Sequence, residues 1–398
     1  MGSLEAKAIV STTVMQIGAS CAMMTMAAIA PLVATALNVP TSLIGSYTGV
    51  LYVGSAAAAS TCGSVLRRFG AIHVTQVALL FIAFGLLLGC IPNLLPISLG
   101  AFCLGFGYGL MTPASSDLLA RYVPPERIGL VFSIKQTGVP LGFALAGCLT
   151  PSIAQTFGWQ IGLALMACAC ILLAFAGIGV RNDLDSYADP TVRFSMAAVF
   201  SSLRLVIQSR ALKRITLICF TYNGMQLCVL TFIVSFFVEA RGTALVFAGL
   251  ILSVANLGGM FGRPFWGWIS DRLANPPRLL GFLGLGSASI VLVLTALPAT
   301  TAPEVYLGCA FLLGCTSIGW NGVALALMAR AAPSGQAGAA TGGTLFFAFF
   351  GSVLFPMLFG FIEQATLSYE IGYWMMCSCN ILIGFWLLIA NKQAFQRE

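Results

Sequence analysis

The sequence predicts an all-α membrane protein, and three observations carry that expectation. Only 8% of the 398 residues are charged while 59% are apolar, mean hydropathy is +0.96, and the apolar residues recur in blocks of twenty or more. A soluble domain carries roughly 25% charged residues, so a soluble fold is excluded. Each block can cross a hydrocarbon layer of ~30 Å as a helix. Backbone groups in lipid must be satisfied within the segment, which leaves helices or a closed barrel, and the blocks lack a barrel's two-residue alternation.

Twelve spans follow in order, each bounded by charge or a short polar turn. The first, 9–36, starts after Lys7; the second, 42–66, stops at Arg67 and Arg68; the third is 71–91, and the fourth, 94–120, stops at Arg121. The fifth, 129–151, follows Arg127, and the sixth, 160–180, ends before Arg181. The seventh, 215–238, follows Arg214, and the eighth, 244–269, lies between Arg241 and Arg272. The ninth, 279–299, follows Arg278; the tenth, 305–329, precedes Arg330; the last two are 336–361 and 370–390.

The net charge of +7 is a matter of placement. Sixteen of the 19 basic residues fall on one side of these spans, and the opposite loops hold Arg241 with Glu239, Glu304, Glu363 and Glu370. By the positive-inside rule both termini and the stretch 181–214 are expected in the cytoplasm. A nucleic-acid partner is not needed to explain the charge. The first block is too long for the core of a cleavable signal peptide and is expected to remain as a helix. All thirteen cysteines lie within spans, where they read as small packing residues rather than a disulfide framework.

The chain is expected to divide into a six-helix half, 1–180, a linker, 181–214, and a second six-helix half, 215–398. The halves repeat at an offset of 204 to 210 residues. Gly63, Arg67, Arg68 and Gly70 lie over Gly267, Asp271, Arg272 and Ala274, and Ala120, Arg121 and Pro124 over Ala329, Arg330 and Pro333. Cys168 and Cys170 recur as Cys377 and Cys379, but two residues apart on a helix is the wrong spacing for chelation from one face. In the linker, Met196, Val199, Phe200, Leu203, Val206 and Ile207 keep helical apolar spacing, which predicts an amphipathic helix on the membrane surface.

This pattern resembles the major facilitator superfamily of secondary transporters over essentially the whole chain. The resemblance implies two six-helix repeats, a substrate site near the midplane and alternating access. Gly267, Asp271 and Arg272 match that superfamily's loop motif, whereas Arg67 stands where the first copy would have Asp. Asp117 lies four residues before Arg121 and is positioned to pair with it or with Arg67 and Arg68. Asp117, Arg121, Arg67, Arg68, Asp271 and Arg272 are therefore the gating candidates.

Two ionisable residues lie well inside spans, and both are cations: Lys135 in the fifth and Arg263 in the eighth. Such residues are costly in a bilayer and normally face the bundle interior or a water-filled cavity. Each lies six or seven residues from its span end, a depth of ~10 Å at the helical rise. A carboxylate fits them, gripped by the guanidinium and attracted by the ammonium. Gly262, Arg263, Pro264, Gly267, Asp271 and Arg272 resemble the eighth helix of monocarboxylate transporters and bacterial oxalate:formate antiporters. That resemblance implies that Arg263 contacts a substrate carboxylate. Monocarboxylate transporters often carry a proton-coupling Asp four residues earlier, where this chain has Gly259. Gly138 and Gly142 follow Lys135 on one face and permit close helix approach. Polar residues at mid-span, Gln16, Tyr52, Tyr222, Asn223, Gln226, Asn256, Trp320 and Asn321, complete the candidate binding set; Asn256 shares a helix face with Arg263.

Enzyme chemistry is not expected. His73 is the sole histidine, which excludes Ser-His-Asp and multi-His metal sites, and no phosphate-binding loop for ATP is present. The run Gly105, Gly107, Gly109 lies in a span, where packing accounts for it. The expected function is secondary transport of a small organic anion, a carboxylate, by a monomer in a bacterial inner membrane. The expected partners are that anion, the bilayer and a coupling ion, H+ or a counter-anion; no cofactor, metal or nucleic acid is called for. Proton-coupled efflux of hydrophobic compounds is the first alternative, disfavoured by the lack of a mid-span acid, and a non-transporting sensor of the same fold is the second.

Overall fold

The computed structural model describes residues 3–124, 128–191, 197–273, 275–333, 337–390 and 395. These form α1 (Ser3–Ala28), α2 (Ala30–Leu37), α3 (Leu43–Phe69), α4 (Ala71–Gly89), α5 (Leu94–Tyr122), α6 (Ile128–Phe157), α7 (Trp159–Ala176) and α8 (Ile178–Leu184). There follow α9 (Ala197–Gln208), α10 (Arg210–Ser235) with a π-helical turn at Phe236–Ala240, α11 (Leu245–Arg272), α12 (Pro276–Ala296), α13 (Pro303–Ser317), α14 (Trp320–Ala331), α15 (Ala337–Thr366) and α16 (Tyr369–Ile389). No strand occurs among the described residues. Among the described residues, eleven helical stretches are long and apolar enough to cross a membrane, and the apolar run of α3, Leu43–Ala59, is shorter.

Three of the continuous spans read from the sequence are interrupted. The first breaks at Ile29, just ahead of Pro31, which has no N–H to donate into the helical ladder. The sixth breaks at Gly177 between α7 and α8, and the tenth at Ile318 and Gly319 between α13 and α14. Hydropathy is blind to such breaks because the residues on either side stay apolar.

The chain forms two compact units, one from residues 1–39 and 50–196, the other from 40–49 and 197–398. Within the first, α1 packs on α6, and α4 on α5 and α7; within the second, α10 packs on α15, α11 on α13, and α12 on α16. Glycine sets how closely some of these helices approach. A Cβ on Gly105 would lie 1.8 Å from the Leu51 carbonyl oxygen, and one on Gly314 1.6 Å from that of Ala255. The two contacts occupy corresponding places in the sequence repeat, so the repeat is one of packing as well as of residues.

The linker forms the helix its spacing predicts, α9. Rather than lying only against the membrane surface, it buries Val206 in the core of the second unit with Leu212, Leu279 and Phe395, while Ile207 is 59% exposed. Met196 and the side chains of Val199 and Phe200 lie outside the described residues.

At one end of the first unit, the segment after α8 folds back on α4. Asp185 accepts from the backbone N–H of Ile72 (2.9 Å) and His73 (2.8 Å), and the Tyr187 hydroxyl accepts from that of Ala71 (3.0 Å). Three donors at the start of α4 that lack intrahelical partners are thus satisfied by residues more than a hundred positions away. Burial pushes the Asp185 carboxyl up against the opposing pull of its two backbone donors and Arg181. Burial, and then the Asp117 carboxylate, also push the Tyr187 hydroxyl up.

This packing makes two predictions, both read by thermal unfolding in detergent. Gly314→Ala should lower the melting temperature by the equivalent of about 1–3 kcal/mol, while Gly308→Ala, on the same helix with nothing near its Cβ, should not. Equal effects of the two would refute the close-approach argument. Asp185→Ala should cost about 0.5–2 kcal/mol through lost capping. Because folding raises the Asp185 pKa, the linked stability is present below the ordinary value of 3.8 and is lost as pH rises through the raised value. Asp185→Asn should lack that slope.

Candidate functional site

In the second unit the site is built around the break in the tenth span. Gly319 has no room for a side chain, since a Cβ would lie 2.1 Å from the Cys315 carbonyl oxygen and 2.6 Å from Trp266 Cδ1. The Trp266 indole N–H donates to that same Cys315 carbonyl at 2.8 Å, bracing α11 against the end of α13. At the break, the Ile318 carbonyl accepts from Arg263 Nε at 3.4 Å and from Asn321 Nδ2 at 3.3 Å. Asn321 Nδ2 also reaches Gln226 Oε1 at 3.2 Å, and Gln226 Oε1 accepts from Trp320 Nε1 at 3.0 Å. Arg263, Asn321, Gln226 and Trp320, drawn from α11, α14 and α10, thus form one hydrogen-bonded chain through a main-chain oxygen.

Arg263 is half-buried and directed to this carbonyl within its own unit. Gly259, one turn earlier, has the Ile318 side chain 2.6 Å from its Cβ position. An acid there, as monocarboxylate transporters often carry, would require Ile318 to move.

The remaining polar candidates of this unit serve different purposes. Tyr222 is buried, its hydroxyl donates to the Leu280 carbonyl at 2.8 Å and its ring meets Trp320 edge-on at 5.7 Å. Asn223 donates to Ser352 Oγ and, at 3.4 Å, to the Ala348 carbonyl. Both tie α10 to neighbouring helices. Asn256 is fully buried; its Nδ2 donates to the Leu252 carbonyl at 2.9 Å, and its Oδ1 has no hydrogen-bond partner.

In the first unit Lys135 is 1% exposed, a burial few lysines reach. Its Nζ lies 3.5 Å from Gln136 Oε1. One turn along α6, a Cβ on Gly138 would sit 3.5 Å from the Thr13 carbonyl oxygen and 3.7 Å from Gln16 Cγ, so this part of α6 faces α1. Gln16 is fully buried, with Nε2 on Ser20 Oγ at 3.2 Å and Oε1 unpartnered; Thr13 Oγ1 is likewise unpartnered. Tyr52 is buried on α3.

The gating candidates separate. Asp117 pairs with Arg121, whose Nε and Nη2 reach its two oxygens at 2.9 and 3.2 Å, and it accepts from the Tyr187 hydroxyl at 3.0 Å. The Arg121 guanidinium lies 3.8 Å from the Tyr187 ring centre. Of Arg67 the structure uses the carbonyl, which accepts from the Asp189 N–H at 2.9 Å, and Arg68 lies over Phe69 at 5.4 Å. Arg272 stacks on Trp268 at 3.8 Å, while the Asp271 side chain lies outside the described residues. Sequence reasoning missed Tyr187, Asp185 and the Ile318 carbonyl. The first two act across more than sixty residues, and the third is a backbone atom of an apolar residue. Among the described residues, no group of three or more His, Cys, Asp or Glu side chains is arranged to hold a metal ion.

Comparison with known proteins places this architecture. The Bacillus subtilis (strain 168) protein NiaP, which bears a niacin/nicotinamide transporter designation, is 24% identical over 87% of this chain and 86% of its own length. The nitrite extrusion protein of the same organism is 26% identical over 82% and 79%, and the gentisate transporter of Corynebacterium glutamicum 25% over 87% and 78%. The crystal structure of a mutant of the nucleoside transporter NupG superposes with a TM-score of 0.79 at 11% identity, over 96% of this chain and 99% of that one, a likeness of fold. The Major Facilitator Superfamily model matches residues 12–356, and with its helices packed in two repeating sets the chain belongs to that superfamily.

Proposed function

We propose that the chain is a secondary transporter of a small organic anion, a carboxylate, working by alternating access, with Arg263 as the group that binds the carboxylate. The observation that carries this reading is a guanidinium placed within the membrane-spanning region and steadied by the Ile318 carbonyl at a helix break. Fixing Nε orients the guanidinium plane, which is the condition for gripping a carboxylate bidentately. The Trp320, Asn321 and Gln226 chain holds α14 and α10 around the same oxygen and so shapes what can approach. Lys135 supplies a second buried positive charge in the first unit. Two of the relatives are named for anions, nitrite and gentisate, which supports the charge sign.

An anion lowers the cost of holding these cations away from water, so the loaded transporter has a smaller barrier to exchanging its inward- and outward-open states. The coupling ion is a proton or a counter-anion. A proton path through position 259 is disfavoured, because Gly259 is not an acid and Ile318 fills the space beside it. The asymmetry of basic residues supports cytoplasmic termini in a bacterial cell, with the protein in the inner membrane.

Thermal unfolding in detergent across mono-, di- and aromatic carboxylates, inorganic anions and organic cations tests the reading. A bound carboxylate at a hundred times its Kd should stabilise the protein by about 2.7 kcal/mol. Arg263→Ala should abolish that gain, and Arg263→Lys should keep only part of it. Carboxylate stabilisation that survives intact in Arg263→Ala, or stabilisation by cations alone, would overturn the assignment. For Lys135 the expected signature is a split. Lys135→Met should leave the ligand-free melting temperature unchanged or higher, since a buried charge is replaced by an apolar chain of similar length, while the anion-dependent gain falls; a large drop in ligand-free stability would mark Lys135 as structural.

A further inference from the structure

In each unit the structure leaves buried acceptor oxygens unused on helices that carry an intramembrane cation or pack against one that does. In the second unit the atom is Asn256 Oδ1, and in the first it is Gln16 Oε1, with Thr13 Oγ1 likewise unpartnered three residues earlier on α1. Asn256 and Gln16 are both fully buried. The orientation of the Asn256 amide follows from its surroundings: the Leu252 carbonyl at 2.9 Å can only accept, so the nitrogen must face it and the oxygen must be the orphan. A buried acceptor without a donor is unfavourable, and native proteins seldom keep one without a reason.

Asn256 and Arg263 lie seven residues apart on α11, two turns along one face and about 10 Å along the axis. The arginine side chain leans toward the helix N-terminus, which is toward Asn256, and shortens that gap. The face therefore offers a cationic donor at one end and a bare acceptor at the other. A carboxylate or nitrite has only acceptor atoms, so it can satisfy the arginine and can do nothing for the asparagine oxygen.

We infer that the transported carboxylate also carries a hydrogen-bond donor, a hydroxyl or an N–H, and that Asn256 Oδ1 accepts from it while Arg263 holds the carboxylate. This rests on the assignment of Arg263 made above and narrows the substrate class from carboxylates in general to donor-bearing ones. In the first unit a fully buried, unused acceptor, Gln16 Oε1, lies on α1, which packs on α6, the helix that carries Lys135. Asn256 is then a specificity residue: it discriminates against plain carboxylates and inorganic anions because those leave its oxygen unpaired in the loaded site.

The test is equilibrium binding to the purified full chain in detergent, using pairs that differ only by a hydroxyl: propionate and lactate, benzoate and its monohydroxy derivatives, with nitrite as a donor-free anion. In the wild type the hydroxylated member of at least one pair should bind about tenfold or more tightly than its parent. Asn256→Leu, which keeps the volume and removes the orphan oxygen, should bring the ratio of the two affinities, hydroxylated member to parent, down to about one. Its monodispersity and melting temperature serve as the check on folding, and Asn256→Asp should retain the hydroxyl preference. Carboxylates that bind through Arg263 with no hydroxyl preference, or an Asn256→Leu variant that weakens both members equally, would overturn the inference and leave the carboxylate assignment standing. If no carboxylate binds, or binding is indifferent to Arg263→Ala, the carboxylate assignment itself fails and this inference with it.

Discussion

The bilayer contains no water to satisfy a polar group, and the rest of this structure depends on that constraint. It forces the backbone into helices, because each N–H and C=O must find its partner within the segment. It also removes the hydrophobic incentive for helices to associate, leaving close van der Waals contact as the main attraction. Gly105 against Leu51 and Gly314 against Ala255 are the local answers, backbone laid on backbone at separations that even a methyl group would prevent. That these contacts recur at the repeat offset shows how one packing solution serves both units.

The same constraint makes every departure from regular helix informative. Where α13 gives way to α14, the Ile318 carbonyl takes Arg263 and Asn321 as donors. Gly319 makes the break sterically possible, and the Trp266 indole holds its edge. The break thus turns a residue whose side chain is purely apolar into a polar anchor for the cation. An acid in the place of that carbonyl would hold Arg263 more strongly and would also compete with an incoming anion. A carbonyl orients the guanidinium without neutralising it, which suits the ligand-gripping role proposed for Arg263.

Much of this was legible before the structure. The apolar runs and the offset repeat carried the fold, because lipid imposes a simple rule on composition. Lys135 and Arg263 stood out for the same reason, as charges where charges are expensive. What stayed hidden depended on atoms that composition does not register. The breaks at Ile29, Gly177 and Ile318 leave hydropathy unchanged. Asp185 and Tyr187 cap α4 from a segment that looks, in sequence, like an ordinary polar linker. The helical spacing of α9 was visible, yet nothing in that periodicity says whether lipid or protein covers Val206.

Gly259 links the packing to the question of coupling. An acid at that position is the economical way to make a carboxylate transporter proton-dependent, since its proton and the substrate would neutralise charges on one helix face. Here the Ile318 side chain occupies the space such an acid would need, and Ile318 is also the residue whose carbonyl steadies Arg263. Both roles fall on one residue at one helix break, so moving Ile318 aside to admit an acid would disturb the anchor of the arginine. Over the α11 face from Asn256 to Arg263, an arginine anchored on the Ile318 carbonyl and an acid at 259 are therefore competing demands on the same few atoms, and this chain has settled them in favour of the anchored arginine.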